Sequence, residues 1–407
     1  MQANIQQTVE GLKNQLVTLL QGLIRIPSEN PPGDYSEISL FLEKELMILG
    51  FEVEIIEVPS KLVAKMEKSK PRRNVIATLK GSEAGRNLIF NAHIDTVPVG
   101  NVDKWSYPPY SGHIEKERIY GRGATDSKGR LAAYIIAAIA LKKSGLPFKG
   151  SITIAATCDE ETGGVLGSGF VAEQGIVSGD SVIVEGYSNQ IVRATAGVLQ
   201  LKIISKGVPA HAGFKWKGVN ALEKMTKIIE ALAAYQKELE NQPSSIPGMK
   251  YTTVNIGTIS GGTKINVVPD LCSIEVDFRV IPEQSIEAIY KRVKALIQQL
   301  AEEDQDMIIE IEKIPDFETE PTVISEDSPL ITAIQEANKE VTGQTLPVVG
   351  MMGQTDARWY INNGIPSINF GPGTNENHLH GYDEYMDIKD LLQTTKVLSV
   401  LARNFLA

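Results

Sequence analysis

The sequence has few cysteines, no surplus of positive charge and no long hydrophobic run. Cys158 and Cys272 are its only cysteines in 407 residues, too few for the disulfide framework of a small secreted protein. A net charge of −10 without a local Lys/Arg cluster argues against a nucleic-acid partner. No apolar run is long enough to span a bilayer, and the polar segment Met1 to Thr8 lacks the hydrophobic stretch of a signal peptide. These absences predict a cytoplasmic protein that contacts neither membranes nor nucleic acids.

The pattern of apolar residues predicts an α/β fold. Apolar positions recur at helical spacing over residues 6–26, and the alanine-rich segment 130–144 also predicts a helix. Short, apolar and β-branched segments, typical of buried strands, occur at residues 74–79, 87–92, 151–157 and 181–185. Strands that alternate with helices indicate a mostly parallel central sheet with helices on both faces.

The pattern changes near residue 195. From there to residue 313 the predicted order is β-α-β-β-α-β, which is typical of a compact ferredoxin-like unit. After Asp316 the α/β pattern resumes. Since 407 residues exceed one ordinary core, we predict a discontinuous catalytic domain, residues 1–194 and 315–407, and an inserted α+β domain, residues 195–314.

Histidine is scarce, and His93 is placed next to a carboxylate at the end of a predicted strand. In a strand, residues i and i+2 face the same side. His93 can therefore bind a metal ion while Asp95 holds its other ring nitrogen, as metal-binding histidines usually require. The alternative is a core histidine that is satisfied by a nearby aspartate.

Other acidic residues lie at the ends of predicted strands or just before a predicted helix. The run Asp159-Glu160-Glu161 follows an apolar strand, and these side chains would repel one another unless a cation were close or the turn were exposed. Glu185 ends another apolar strand and would reach the same edge of the sheet. Asp126, in Gly121-Arg122-Gly123-Ala124-Thr125-Asp126-Ser127-Lys128-Gly129, precedes a helix, and this loop taken alone favours a helix N-cap.

Two further groups of polar residues leave more than one interpretation open. His378 and His380 follow Phe370-Gly371-Pro372-Gly373 and precede Glu384, and by itself such a segment is more often a surface loop than a ligand source. The inserted domain contributes His211, Asn266 and Arg279. These three lack metal-ligand spacing, so they predict either a polar clamp for substrate or surface loops.

Taken together, these segments resemble the M20 metallopeptidase family over nearly the whole chain. The motifs HxD, GRGxxDxKG, DEExGG and GPGx(n)HxxxE occur in the family's order. The resemblance implies two divalent ions, typically Zn²⁺ with Co²⁺ or Mn²⁺ also suitable, and these metal ligands: His93, Asp126 as the bridge, Glu161, Glu185 and His380. It also implies that Glu160 is the general base, that Asp95 supports His93, and that the Asp126–Ser127 peptide is cis. His380 is preferred to His378 because its spacing to Glu384 fits the family.

The resemblance also implies a reaction and an assembly. The expected function is hydrolysis of the amide bond of a small N-acyl amino acid by a metal-activated water. In the implied homodimer, His211 of the partner subunit stabilises the oxyanion, and Arg279 and Asn266 hold a substrate carboxylate. The inserted domain would act as a lid and dimer surface, with hinges near residues 195 and 315.

The chain departs from the family pattern at Glu185-Gly186-Tyr187 and at Met352-Gly353-Gln354-Thr355-Asp356, where substrate is expected to lie. Substrate specificity therefore does not transfer from any relative. A metallo-exopeptidase or dipeptidase, an N-carbamoyl amidohydrolase and a catalytically inactive metal-binding module are the alternatives.

Overall fold

A computed structural model of the chain describes residues 4–314 and 318–407. They divide into two compact units, one of Met1–Arg193, Ile324–Val348 and Thr355–Ala407, the other of Ala194–Val323 and Val349–Gln354. The predicted hinge and domain boundary near residue 315 fall at residues 315–317, outside the described residues. The division into a catalytic domain and a lid domain stays a prediction.

Each unit contains both helices and strands. In chain order, the helices are α1 (Ile5–Gly11), α2 (Lys13–Ile24), α3 (Ser36–Leu49), α4 (Ser60–Lys65), α5 (Lys128–Lys143), α6 (Phe170–Glu173), α7 (Ala221–Glu240), α8 (Ile286–Glu303), α9 (Pro329–Thr342), α10 (Ala357–Asn362) and α11 (Ile388–Phe405). The strands are β1 (Glu52–Glu57), β2 (Arg73–Lys80), β3 (Asn87–His93), β4 (His113–Glu115), β5 (Arg118–Tyr120), β6 (Ser151–Thr157), β7 (Ser181–Val184), β8 (Ile191–Thr195), β9 (Gly197–Lys206), β10 (Ala210–His211), β11 (Thr253–Gly261), β12 (Val267–Val268), β13 (Leu271–Val280), β14 (Ile308–Lys313), β15 (Thr322–Val323), β16 (Val348–Met351), β17 (Ser367–Asn369) and β18 (Tyr385–Asp387).

The sheet of the first unit brings the ends of its central strands to one edge. Its order is β1-β2-β6-β3-β7-β17-β8, and β6, β3, β7 and β17 run parallel to one another. In this register His93 lies opposite Thr157, and Asn91 lies opposite Val184. The residues that follow β3, β6 and β7 therefore meet at the same edge, and the predicted α/β class with a mostly parallel central sheet is confirmed.

Both faces of this sheet are covered, because alternate side chains enter different cores. Leu88, Phe90 and Ala92 of β3 pack into the larger core, whereas Ile89 packs into the core on the opposite face. Helix α5 lies in the larger core and is buried on all sides from Lys128 to Leu141. Among the described helices, none combines the length and the apolar character that a membrane crossing requires.

The helix predicted over residues 6–26 is interrupted at Leu12, which has φ −95° and ψ 0° and separates α1 from α2. The break does not disturb the apolar pattern, because Val9, Leu12 and Leu16 are all buried in the same core. The periodicity of apolar residues therefore could not predict the break at Leu12.

The second unit has the predicted β-α-β-β-α-β arrangement. Its antiparallel sheet has the order β11-β13-β9-β14. Alternate residues of β9 and β13 are buried, and they form a core with α7 and α8. The residues that precede these two helices, Asn220 and Ser285, are their N-caps, and their side chains accept backbone hydrogen bonds.

Candidate metal centre

His93 ends β3 and is fully enclosed. Its Nδ1 lies 2.9 Å from the backbone oxygen of Asp95 and 3.6 Å from the carboxylate Oδ1 of the same residue. Its Nε2 lies 3.2 Å from Asp126 Oδ1. Burial acts to lower the pKa of His93, but the hydrogen bonds with Asp126 and Asp95 outweigh it and raise that pKa well above its ordinary value. Asp95 thus fixes one ring nitrogen, mainly through its backbone, and leaves the other directed at Asp126.

Asp126 precedes α5 but does not cap it. The N-cap position is Ser127, so the N-cap interpretation that the loop alone favoured is wrong. The two carboxylate oxygens of Asp126 face different partners: Oδ1 accepts a hydrogen bond from Arg130 Nη1 at 2.7 Å, and Oδ2 lies 3.3 Å from His380 Nε2. Burial acts to raise the pKa of Asp126, but Arg130, His380 and His93 lower it well below its usual value. The predicted cis peptide between Asp126 and Ser127 is present.

Glu384 organises the loop that carries Asp126. Its carboxylate accepts hydrogen bonds from the backbone nitrogens of Gly123, Thr125 and Asp126 at 2.9–3.0 Å. It also forms a buried ion pair with Arg122 at 2.8 Å. In the sequence, Glu384 served only as the spacing marker that identified His380. In the structure, Glu384 holds the backbone of the loop that leads into the cis peptide.

The acidic run after β6 forms a tight turn whose backbone is held by Asp95. Asp159 has a left-handed φ of 61°, and Glu160–Thr162 form one turn of 3-10 helix. Asp95 accepts the backbone N–H groups of Glu160 and Glu161, each at 3.2 Å. The carboxylate of Asp95 therefore positions this turn as well as contacting His93, a role that was not predicted.

Asp159 is a structural residue and not an exposed member of a solvated turn. Its carboxylate accepts hydrogen bonds from Tyr35 at 2.6 Å, Arg72 at 2.7 Å and Asn30 at 3.0 Å. Asn30 also donates to Asp95 at 3.1 Å. The sequence analysis did not identify Asn30, because its partners lie too far along the chain for any local pattern to reveal them.

The Arg72–Asp159 pair provides a stability test with a matched control in the next residue. Both side chains of the pair are at most 3% exposed, whereas Arg73 pairs with the more exposed Glu57 at 3.1 Å. Because R72M leaves the buried carboxylate of Asp159 without an opposite charge, we expect it to lower the free energy of unfolding by about 3–5 kcal/mol. R73M should lower it by less than about 1 kcal/mol. Urea unfolding measures both, and equal losses would show that the buried pair does not anchor the turn.

Glu160 and Glu161, the other two acids of this turn, differ in their surroundings. Burial raises the pKa of Glu160 well above its ordinary value, against the opposing charge of His93. Glu161 Oε2 lies 3.3 Å from His380 Nε2, and its other oxygen is buried without a hydrogen-bond partner among the described residues. A carboxylate held in this way favours a proton or a cation nearby.

Glu185 follows β7 and is buried at the same edge. Neither of its carboxylate oxygens has a hydrogen-bond partner within the described part of the chain. Burial and the charge of Asp356 raise its pKa to about 8, while His93 and Arg130 act to lower it. Buried carboxylates without donors are unfavourable unless a cation or a proton neutralises them.

The chemistry of these residues fits a divalent cation. One ligand atom each from His93, Asp126 and Glu161 lie within 4.8 Å of one another, and His380 Nε2 is 3.3 Å from both carboxylates that it faces. Hydrogen bonds with Asp126 and Glu161 raise the pKa of His380 to about 10. In the described residues Glu185 does not join the set within 4.8 Å, although it lies close enough for the charge of His93 to affect it.

His378, the lesser candidate ligand, has a different environment. Its exposed ring packs edge-on against Tyr385, with the ring centroids 5.4 Å apart. The neighbouring Asn377 donates to the backbone oxygen of Tyr385 at 2.9 Å. The structure thus pairs His380, and not His378, with the acidic cluster.

The three candidate residues of the second unit lie on or near its strands. His211 Nδ1 accepts the N–H of Gly213 at 3.1 Å, and the backbone oxygen of Asn266 accepts the N–H of Ala212 at 3.0 Å. Arg279 is on β13, where its Nε donates to Asp277 at 2.8 Å. His211 is exposed, and the roles predicted for these residues stay predictions.

Known proteins share this chain's sequence pattern over most of its length. An N-formyl-4-amino-5-aminomethyl-2-methylpyrimidine deformylase from Halalkalibacterium halodurans is 28% identical, with 96% of this chain and 94% of that protein covered. An acetylornithine deacetylase from Aliivibrio salmonicida is 31% identical, with 87% of each chain covered. The crystal structure of a dinuclear metal-binding M20 peptidase from Bacillus subtilis has a TM-score of 0.70 at 20% identity, with 98% of this chain and 99% of that chain covered.

The family model described as peptidase family M20/M25/M40 matches residues 89–404. This range includes every proposed metal ligand and the turn that carries Glu160. The chain therefore belongs to peptidase family M20/M25/M40 and is a metal-dependent hydrolase that acts on amide bonds.

Proposed function

We propose that the protein is a hydrolase with two divalent-cation positions that cleaves the amide bond of a small N-acyl amino acid. The main support is that one carboxylate oxygen of Glu161 and both carboxylate oxygens of Glu185 are buried without hydrogen-bond donors among the described residues. Glu161 lies close to His93, Asp126 and His380. Glu185 follows β7 at the same edge of the sheet. The deformylase and deacetylase relatives are named for removing acyl groups, which favours a deacylase.

The contacts suggest how the ligands divide. Glu161 and His380, which face each other, would hold one ion, and His93, with Glu185 at the same edge of the sheet, would hold the other. Asp126 would serve both positions, because Oδ1 faces His93 and Oδ2 faces His380. Imidazole and carboxylate ligands suit Zn²⁺ and also accept Co²⁺ or Mn²⁺. When bound, such ions polarise a carbonyl and lower the pKa of water.

The remaining residues would position groups and move a proton. Glu160, whose pKa is raised by burial, would take a proton from the attacking water and deliver it to the leaving nitrogen. Asp95 keeps this base in place through the backbone nitrogens of Glu160 and Glu161. Such fixed geometry favours proton transfer because the base need not reorganise.

The second unit would supply the substrate contacts. Arg279 and Asn266 would hold a substrate carboxylate, for which a guanidinium is well shaped. His211 of the partner subunit would stabilise the oxyanion in a homodimer. The free, buried Cys158 and Cys272 suit a reducing compartment such as the cytoplasm.

A substrate panel tests the proposal. The metal-reconstituted protein would be assayed on N-acetyl, N-formyl and N-succinyl amino acids, on dipeptides and on N-carbamoyl amino acids. We expect free amine and acid from one of the N-acyl compounds. Preferential cleavage of dipeptides would indicate an exopeptidase and not a deacylase. Release of ammonia would indicate a carbamoylase. Bound metal with no hydrolysis of any compound would favour an inactive module.

His211 provides a test of the shared site. We expect H211A to fold and retain metal but to lose activity by a factor of about 100, because one oxyanion donor is removed. Mixing H211A with inactive E160A should restore part of the activity, since one site in each mixed dimer would have both intact residues. Activity assays after subunit exchange measure this, and absence of rescue in confirmed mixed dimers would exclude sharing.

A further inference from the structure

Arg130 distinguishes the two oxygens of Asp126. It lies one helical turn after Asp126, its side chain is only 4% exposed, and Nη1 is 2.7 Å from Oδ1. The same oxygen is 3.2 Å from His93 Nε2, whereas Oδ2 faces His380 at 3.3 Å. A positive charge therefore lies on the His93 side of the carboxylate.

The surroundings keep the guanidinium at this position. It lies 5.6 Å from the centre of the Tyr187 ring, and Gly371 approaches so closely that a Cβ there would be 3.3 Å from Arg130 Cγ. Glu185 is near enough for the two charges to affect each other. Arginine stays protonated in proteins, so this positive charge is permanent.

A cation on the His93 side would thus share Asp126 Oδ1 with a group of the same charge. Like charges a few ångströms apart repel strongly at a buried site. A cation on the other side would use Oδ2 and the ligands Glu161 and His380. Arg130 consequently repels a cation on the His93 side more than a cation on the His380 side, although the carboxylates available to the two positions are similar.

We propose that Arg130 makes the two cation positions unequal, so that the His93/Glu185 position binds its ion more weakly than the Glu161/His380 position by on the order of 100-fold. This inference rests on the two-cation site of the proposed function. It assigns to Arg130 a positioning and charge-setting role, distinct from that of a metal ligand or a general base.

Metal content measured apart from activity tests the inference. Wild type, R130Q and R130K would be loaded with Zn²⁺, dialysed and analysed by mass spectrometry, and stepwise affinities would be measured by calorimetry. We expect about one retained ion per chain in wild type and R130K, and about two in R130Q, which lacks the charge. R118Q is the control, because Arg118 pairs with Asp387 on the surface; it should match wild type.

Two equal, tight sites in wild type, or no gain in R130Q, would overturn the role of Arg130 without affecting the hydrolase proposal. Absence of bound metal in both wild type and R130Q would instead overturn the proposed function. If R130Q does not fold, which circular dichroism would show, the calorimetry of wild type still decides, since two indistinguishable binding steps contradict the inference.

Discussion

Replacing Glu160 by alanine is expected to reduce kcat by a factor of about 10²–10⁴, the usual contribution of a positioned general base. Metal content should not change, because Glu160 is outside the proposed ligand set. The turn should also survive, since Asp95 binds the backbone nitrogens of Glu160 and Glu161 and not their side chains. Steady-state kinetics together with metal analysis of the purified variant measure the two effects separately.

The control for this variant is E173A. Glu173 is an exposed residue at the end of α6, so its removal takes away a carboxylate without changing the site. It should keep wild-type kcat and metal content. A near-normal rate in E160A would refute the assignment of the base, and a rate lost together with the metal would show that Glu160 acts in ion binding instead.

Removing Asp126 is expected to abolish binding at both cation positions at once. Its Oδ1 faces His93 and its Oδ2 faces His380, so its carboxylate is placed to serve both halves of the site. We expect D126A to retain no stoichiometric metal after dialysis and to lose activity by at least a factor of about 10³. Elemental analysis and calorimetric titration with Zn²⁺ measure the loss.

D103N serves as the comparison for D126A, because Asp103 is an exposed aspartate of the first unit. It should bind metal like wild type. A D126A protein that is folded and still binds two ions would overturn the bridging role. In the calorimetric titration, loss of only one of the two Zn²⁺-binding steps would mean that Asp126 serves a single position.

The proposed ligands that follow strands could be located from the sequence because the strand pattern is local. His93 ends β3, and Glu185 directly follows β7. Parallel neighbouring strands bring their carboxyl ends to one edge, so the apolar runs before these residues already indicate where the side chains meet. His380 needed the motif resemblance, because its loop carries no periodic signal.

The residues that fix the acidic turn after β6 were not predicted, for a physical reason. Asn30, Tyr35 and Arg72 reach Asp159 across 129, 124 and 87 residues of sequence. Such pairs depend on how helices and strands pack, which no short window contains. Arg130 was missed for another reason. The apolar pattern of its helix predicts a buried position, but it does not predict that the guanidinium contacts the carboxylate of Asp126.

The proposal that these side chains converge on bound cations is tested most directly by anomalous diffraction from crystals of the zinc-loaded protein. We expect the strongest zinc peak among Asp126, Glu161 and His380, and a weaker peak towards His93 and Glu185. Zinc density located elsewhere on the molecule, with the side chains of Asp126, Glu161 and His380 turned away from one another, would contradict the proposed metal centre.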